Sequence, residues 1–441
     1  MKKIYLFLFI IIMFIISCNN KSTSPIISED IGDITYYNPV YAETKQYSFY
    51  KLDHNTDDMF FTKSTFKKIA ESKDAIIYLE IGIDKSKSDI LNFLTEFEKD
   101  YPKEIEIYGS PSDIDQNGKI IFLMASLNTN SKEGDSSVGG YFSSSDLIQG
   151  KDGVRGEYLH VDATWNTSSV LGVMMHELQH LINYNVNVFN GNKAMDIWLN
   201  ESLSESTSHL FSPSIIEERI TAFNQTPYYS FYSWYFRYDD NVNNNIFGRD
   251  LSVVSYANAS MFMKWLDINT GGNQEIYKKI ASSSPSLDSE QRLVDSIKAL
   301  DTSSALGADM NSIMVNWISD LNNNDLGLGV RVSALADSGA SIYNLFIESG
   351  QTKLIPRALV VCTTSDADKI NDSKVTEEDL GNGTVALLNN SKNANAGLVS
   401  QNNIVNISLT PSAAASGVLS SKSYNDLIIF KKDYFRDIII K

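Results

Sequence analysis

The segment His176-Glu177-Leu178-Gln179-His180 constrains the fold of this 441-residue chain more than any other part of its sequence. The apolar residues around it recur at helical spacing and predict an amphipathic helix: Val170, Val173, Met174, Leu178, Leu181 and Ile182. Thr167 or Ser168 can cap that helix. Because positions i and i+4 share a helix face, both imidazoles can bind one ion, with the glutamate beside it.

A catalytic zinc site holds three protein ligands and leaves one position open. A third ligand must therefore come from elsewhere in the chain. The segment Trp198-Leu-Asn-Glu-Ser-Leu-Ser-Glu205 offers two carboxylates, Glu201 and Glu205, which share a face of a second helix predicted over about 195–211.

Together the two segments resemble the gluzincin metallopeptidases, in which H-E-x-x-H precedes a helix bearing N-E-x-x-x-D/E. The residues WLNESLSE are most similar to the hyicolysin family of that clan. This resemblance implies one zinc ion per chain, with His176, His180 and Glu201 as its ligands. It also implies that Glu205 orients His176, and it covers about residues 83–325.

A third segment extends the resemblance. Val254-Ser-Tyr-Ala257 opens a predicted helix whose layout is similar to the helix that supplies the oxyanion-stabilising tyrosine in gluzincin aminopeptidases. The resemblance implies this role for Tyr256; the alternative is a tyrosine packed in the core. The G-A-M-E-N exopeptidase motif of those aminopeptidases is absent from the sequence, which favours an endopeptidase.

The implied chemistry is hydrolysis of peptide bonds by a water that zinc activates, with Glu177 as general base and Tyr256 stabilising the oxyanion. The stretch 157–163 alternates as a strand does. We expect it to present a free edge that pairs with an extended protein or peptide substrate.

The N-terminus predicts export. Lys2 and Lys3 precede the apolar run IYLFLFIIIMFII, which is too short to span a bilayer and is typical of a signal peptide over residues 1–17. The run ends in Ile15-Ile-Ser-Cys18, which resembles the lipobox of bacterial lipoproteins. This implies a lipid anchor on Cys18 that holds the mature chain to a membrane of the cell envelope; the alternative is an ordinary signal peptide with a chance cysteine.

The composition and the order of the predicted helices and strands indicate an α+β protein with several domains. Hydrophobic residues make up 43% of the chain, enough for real cores, and the net charge of −17 argues against nucleic-acid partners. We expect a flexible tether over 18–33, a β-rich segment over 34–82, and a catalytic domain over 83–325 with a small mixed sheet, an active-site helix and a helical subdomain. An all-β accessory domain is expected over 326–441.

Calcium is a second candidate ion. The turn Asp113-Ile-Asp-Gln-Asn-Gly118 resembles the first half of a calcium loop, but the twelfth position, where an EF-hand carries a bidentate glutamate, is Met124. The alternative is a turn rich in Asp and Asn that leads into a strand.

Two other classes of function differ in how well the sequence supports them. A surface adhesin on a metallopeptidase fold with little turnover is the second hypothesis, since the anchor and the accessory domain suit binding. A serine hydrolase or nucleotide-binding enzyme lacks support, because the sequence contains no G-x-S-x-G motif and no P-loop. The sequence leaves the oligomeric state open.

Overall fold

A computed structural model describes residues 27–407 apart from short gaps, which are residues 57, 133–136, 150–153, 190, 192, 226–227, 235–236, 239–251, 324–326, 335–346, 349–350, 368–369, 393–397 and 400. The predicted signal peptide, the lipidation residue Cys18 and the end of the predicted C-terminal domain, 408–441, lie outside the described residues.

Within the described residues, the largest sheet has nine strands. Their bounds are β1 Ser28–Ile31, β2 Ile34–Tyr37, β3 Thr44–Asp53, β4 Asp58–Glu71, β5 Ala75–Glu80, β6 Ile120–Ala125, β7 Asn128–Thr129, β8 Gly140–Phe142 and β9 Tyr158–Asp162. The main path runs β1-β2-β4-β5-β6-β9-β8, while β3 pairs with β4 and with β7. Strands β5, β6 and β9 are parallel, and β8 runs antiparallel to β9.

Helices cover one face of this sheet and extend beyond it. They are α1 Lys87–Tyr108, α2 Ser144–Ile148, α3 Thr167–Tyr184, α4 Ile197–Phe211, α5 Pro213–Gln225, α6 Ser252–Asn269, α7 Glu275–Ala281, α8 Ser289–Leu300, α9 Met310–Asn323 and α10 Thr364–Ala367. A π-helical turn, Asn185–Phe189, continues α3. Within the described part of the chain, no helix is long and apolar enough to cross a membrane. The mixed α and β content agrees with the predicted α+β class.

Strand β6 is apolar on both faces because both faces are covered. Ile120, Phe122 and Met124 face the core that includes α1 and α3, whereas Ile121 and Leu123 face a second core beneath β3 and β4. All six residues of β6 are buried. A strand buried on both sides reads as a continuous apolar run, which is how this segment appears in the sequence.

The C-terminal region is mainly β, but it shares a core with the helices. Its strands are β12 Ile347–Glu348, β13 Gln351–Leu354, β14 Leu359–Thr363, β15 Val375–Gly381, β16 Thr384–Asn389, β17 Leu398–Val399 and β18 Val405–Ile407. Two short strands of the helical region, β10 Tyr228–Tyr229 and β11 Arg237–Tyr238, pair with β14 and β17. Leu359 and Leu388 belong to the same apolar cluster as Trp317 of α9.

The structure differs from the predicted divisions of the chain. Residues 28–31, placed in the tether, form β1 and pair with β2. Strand β5 pairs with β6 across the boundary drawn at residue 83, so both sides of that boundary share one sheet. Across the boundary at 326, Leu359 and Leu388 share a core with the helices, and a second apolar cluster joins the C-terminal strands to Tyr228 and Val254. Strand pairs between distant segments leave no local signal in the sequence, so divisions drawn from sequence do not anticipate them.

Two local predictions are also corrected. Helix α3 is capped by Asn166, whose side chain accepts a hydrogen bond from the Ser169 amide at 3.0 Å, rather than by Thr167 or Ser168. Strand β9 lies between β6 and β8 and offers no edge to a substrate; the strand at this end of the path is β8. The alternation in 157–163 therefore predicted a strand correctly, but it could not predict which strands lie on either side of it.

Gly172 lets α3 approach the junction between α4 and α5. A Cβ atom built on Gly172 would overlap Ser212 Oγ and lie 2.6 Å from Ser212 Cβ and 3.0 Å from Ile215 Cδ1. The Ser212 hydroxyl is buried without a hydrogen-bond partner in the described structure, so shape is its main contribution here.

We predict that Gly172→Ala destabilises the protein although alanine is the better helix former. Helix propensity would add about 1 kcal/mol, but overpacking a filled core costs about 1–3 kcal/mol. The free energy of unfolding, measured by urea denaturation, should therefore fall. In a Ser212→Gly background, which removes both clashing atoms, the same change should be neutral or stabilising. A loss of equal size in both backgrounds would contradict the proposed contact.

Candidate metal centre

Helices α3 and α4 bring three potential metal ligands together. His176 and His180 lie one turn apart on α3, with their Nε2 atoms 3.2 Å from each other. Glu201 Oε2, from α4, lies 3.4 Å from His176 Nε2 and 3.5 Å from His180 Nε2. The three atoms form a nearly equilateral triangle, and the three side chains are largely buried.

The size of this triangle suits zinc. Bonds of about 2.0–2.1 Å in tetrahedral geometry place two ligand atoms roughly 3.3–3.4 Å apart. The observed separations of 3.2, 3.4 and 3.5 Å bracket this value. Glu201 Oε2 is also buried without a hydrogen-bond partner, an arrangement that a cation would satisfy. The donor set of two imidazoles and one carboxylate with an open position is that of a catalytic zinc site.

Glu205 and Arg219 hold the other nitrogen of His176. Glu205 Oε1 lies 3.4 Å from His176 Nδ1. The same carboxylate accepts two hydrogen bonds from Arg219, at 2.7 Å from Nε and 2.9 Å from Nη2, and all three groups are buried. This bidentate pair fixes the carboxylate, which in turn keeps the proton of His176 on Nδ1 and leaves Nε2 available as a ligand.

Ser204 contacts the Nδ1 atom of His180, as Glu205 does for His176. Its Oγ lies 3.0 Å from His180 Nδ1 and donates to Gln179 Oε1 at 2.5 Å. With its own proton committed to Gln179, the hydroxyl accepts from the imidazole. His180 is thereby held in the same tautomer as His176, with Nε2 turned towards Glu201.

The buried charges of this cluster stabilise one another. Burial would raise the pKa of Glu201, but the adjacent His180 and His176 outweigh it and lower the pKa to about 2. Burial would likewise raise the pKa of Glu205, and Arg219 and His176 lower it to about 2. For His176 burial acts to lower the pKa, yet the two carboxylates raise it to about 10. A proton therefore competes with metal for this site.

Glu177 lies between the two histidines along α3 and contacts strand β8. Its Oε2 accepts a hydrogen bond from the Phe142 amide at 2.9 Å, whereas its Oε1 is buried without a hydrogen-bond partner in the described structure. Burial raises the pKa of Glu177, and the two neighbouring imidazoles partly oppose this. One oxygen is thus anchored and the other is available to exchange a proton.

Tyr256, at the start of α6, lies beside the same cluster. Its ring centroid is 6.0 Å from that of His176, and its ring packs edge-on against Trp234 at 4.9 Å, with the Arg219 guanidinium 5.1 Å from the ring centre. A cavity of about 20 Å³, room for roughly one water, is lined by Val173, His176, Glu177, Glu205, Ser208, Ile215, Arg219 and Tyr256. Tyr256 therefore lines the same small cavity as Glu177.

The remaining histidines of this region stay outside the ligand triangle. His160 is fully buried on β9, with its Nε2 2.8 Å from Asp146 Oδ2 and its ring stacked on Tyr141. His209 contacts Ser260 of α6 through its Nε2 at 3.0 Å, so it bridges two helices. Burial lowers the pKa of His209 to about 4, which keeps its imidazole neutral at ordinary pH.

Sequence reasoning missed three contributors: Arg219, Ser204 and the Phe142 amide. The role of Ser204 could have been predicted, because this residue directly precedes Glu205 on the helix that bears the proposed third ligand. Arg219 lies on a separate helix, fourteen residues beyond Glu205, where nothing in the sequence marks it. The Phe142 contribution comes from the main chain and has no side-chain signature.

Comparison with known proteins gives partial similarities. No protein-family model matches the chain. Over 190 residues it is 26% identical to the neutral metalloprotease ShpI of Staphylococcus hyicus, and that stretch covers 40% of this chain and 41% of the other protein. The chain thus matches less than half the length of this relative.

A structural similarity extends further along the chain but is weaker. The crystal structure of an aminopeptidase N family protein from Idiomarina loihiensis matches 75% of this chain and 63% of its own, with a TM-score of 0.31 and 10% sequence identity. A TM-score of this size supports no conclusion about shared architecture, so the interpretation of the site depends on its own geometry and on the sequence similarity.

Proposed function

We propose that this protein is a zinc-dependent endopeptidase that hydrolyses proteins or peptides outside the cytoplasm. The observation that carries the proposal is the triangle of His176 Nε2, His180 Nε2 and Glu201 Oε2, in which Glu205 and Ser204 of α4 hold the two imidazoles. The similarity to a neutral metalloprotease supports the same reaction class.

When bound, zinc would polarise the scissile carbonyl and make a water nucleophilic near neutral pH. The protein supplies the proton transfers. Glu177 Oε1 accepts a proton from the attacking water and returns it to the leaving amine, while the Phe142 amide holds Oε2 in place. Because burial raises its pKa, the Glu177 carboxyl can keep the proton between these steps.

Tyr256 is proposed to donate its phenolic hydrogen to the developing oxyanion. Its place beside Glu177 in the small cavity supports this role. The outer edge of β8 is proposed to pair with the extended main chain of the substrate, because β8 ends the described path of the sheet and Phe142 leads directly to Glu177. This replaces β9 as the substrate-binding strand.

Export and a lipid anchor on Cys18 are part of the proposal and are supported by the sequence alone. The anchor would hold the enzyme at a membrane of the cell envelope and place the active site on its outer side. Mass spectrometry of the mature N-terminal peptide, compared with a Cys18→Ala variant, tests for the modification; an unmodified cysteine would refute it.

We predict that Glu201→Ala lowers the zinc content from about one per chain to near zero. Two imidazoles remain, but the site loses its only anionic ligand and a third of its protein donors. Elemental analysis of the purified mature protein measures this. Glu106→Ala, at an exposed position on α1, is the control and should retain zinc. Full zinc occupancy in the Glu201 variant would exclude Glu201 as a ligand.

We predict that Glu177→Gln retains zinc and loses casein cleavage by about 10²–10⁴-fold. Glutamine keeps the size of the side chain and can still accept the Phe142 hydrogen bond, but it cannot take up the proton. Chelator-controlled digestion measures the rate, and elemental analysis the zinc. Cleavage that survives the change would refute the mechanism, while a wild-type protein that holds zinc but cleaves nothing would favour the adhesin hypothesis.

We predict that Tyr256→Phe lowers kcat by about 10²–10³-fold with little change in KM. Phenylalanine preserves the packing against Trp234 and Arg219, so the fold and the zinc content should be unchanged. Steady-state kinetics on a fluorogenic peptide separates the two constants. An unchanged kcat would assign Tyr256 to the core, as in the alternative drawn from the sequence.

A further inference from the structure

A second group of acidic side chains lies at the amino-terminal ends of β6 and β9. One carboxylate oxygen from each of Asp113, Asp115 and Glu157 lies within 4.8 Å of the other two. Within the described residues, none of the three forms an ion pair. Carboxylates this close repel one another when ionised, and a cation between them removes that repulsion.

Glu157 is the unusual member of the group, because its side chain is 1% exposed. Its Oε1 accepts hydrogen bonds from Ser112 Oγ at 2.6 Å and from the Ile114 amide at 3.0 Å, the residues on either side of Asp113. Its Oε2 is buried and has no hydrogen-bond partner in the described structure. A buried carboxylate oxygen without a partner is costly, and a divalent cation would satisfy it.

The loop above Glu157 holds the two aspartates in place. Asp113 Oδ1 accepts from the Gly118 amide at 2.9 Å, and Asp115 accepts from the Asn117 amide at 3.2 Å and from its side chain at 2.7 Å. Gln116 and Gly118 both have positive φ, at 59° and 67°, and turn the chain tightly. Asp113 remains exposed and Asp115 half-buried, which leaves one side open to water.

The third carboxylate of this group does not come from the position that an EF-hand would use. Position 124 is a methionine buried in β6. The carboxylate comes instead from Glu157, immediately before the neighbouring strand β9. Because β6 and β9 are parallel neighbours, their amino-terminal ends adjoin, and the residues that precede them can meet.

We propose that Asp113, Asp115 and Glu157 bind one calcium ion, at a site separate from the zinc ligands. The candidate ligands are all carboxylate oxygens, and the exposed side of the site leaves room for water ligands, which suits the six to eight ligands of calcium better than the rigid octahedron of magnesium. The bound ion ties the loop 112–118 to the start of β9. Its role is to stabilise the amino-terminal ends of two central strands.

The test is isothermal titration of CaCl₂ into the zinc-loaded mature protein, with MgCl₂ as the competing ion. We expect about one calcium per chain, weaker magnesium binding, and a calcium-dependent rise in melting temperature. Glu157→Gln and Asp113→Asn should each weaken calcium affinity at least about tenfold. Asp295→Asn, which removes the same charge from the exposed face of α8, should bind calcium as the wild type does.

The outcomes separate this site from the catalytic proposal. Glu201→Ala should retain calcium even where it loses zinc, so a failure of either site can be recognised independently. Absence of calcium binding by the wild type at millimolar concentration would overturn the inference. So would wild-type affinity in both the Glu157 and Asp113 variants. Because Asp113 is exposed, its variant remains informative even if Glu157→Gln fails to fold.

Discussion

The buried pair formed by Glu205 and Arg219 is the interaction on which the metal centre depends. A carboxylate removed from water is stable only when it is paired and hydrogen-bonded, and here two parallel bonds of 2.7 and 2.9 Å provide both. The pair fixes the carboxylate that faces His176 Nδ1. It also joins α4 to α5, so the helix that bears Glu201 cannot rotate without breaking it.

Small side chains let these helices come close enough for such contacts. Helix α4 carries four buried serines, Ser202, Ser204, Ser206 and Ser208. The hydroxyls of Ser202 and Ser206 donate back to main-chain carbonyls of their own helix, and Ser206 Oγ also contacts the Tyr108 hydroxyl of α1 at 2.6 Å. Gly172 serves the same purpose on α3 where it meets Ser212. Larger residues would widen the spacing between α3 and α4 and enlarge the ligand triangle beyond what one ion can bridge.

The sequence predicts the parts of this site that depend on helical periodicity. Histidines four residues apart, and Glu201 with Glu205, are placed on shared faces by the geometry of a single helix, and the structure places them so. The sequence does not predict the role of Arg219, because the position of this side chain depends on how α5 packs across α4. For the same reason, the sequence does not predict that β9 lies between two strands. Nor does it predict that residues 34–82 belong to the main sheet. Pairing partners are set by tertiary packing, which a one-dimensional pattern does not encode.

Strand β9 connects the two candidate ion sites while keeping them apart. Glu157 precedes it, and the cap of α3 at Asn166 follows soon after it ends at Asp162. Five steps of about 3.3 Å lead from Glu157 to Asp162, so these two residues lie roughly 16 Å apart. The Coulomb interaction between two ions weakens with distance and with the polarisability of the medium, whereas β9 links the two regions directly along the chain. An ion that fixes the start of β9 would therefore act on the metal centre by holding the strand that leads into α3, without altering the charges around His176.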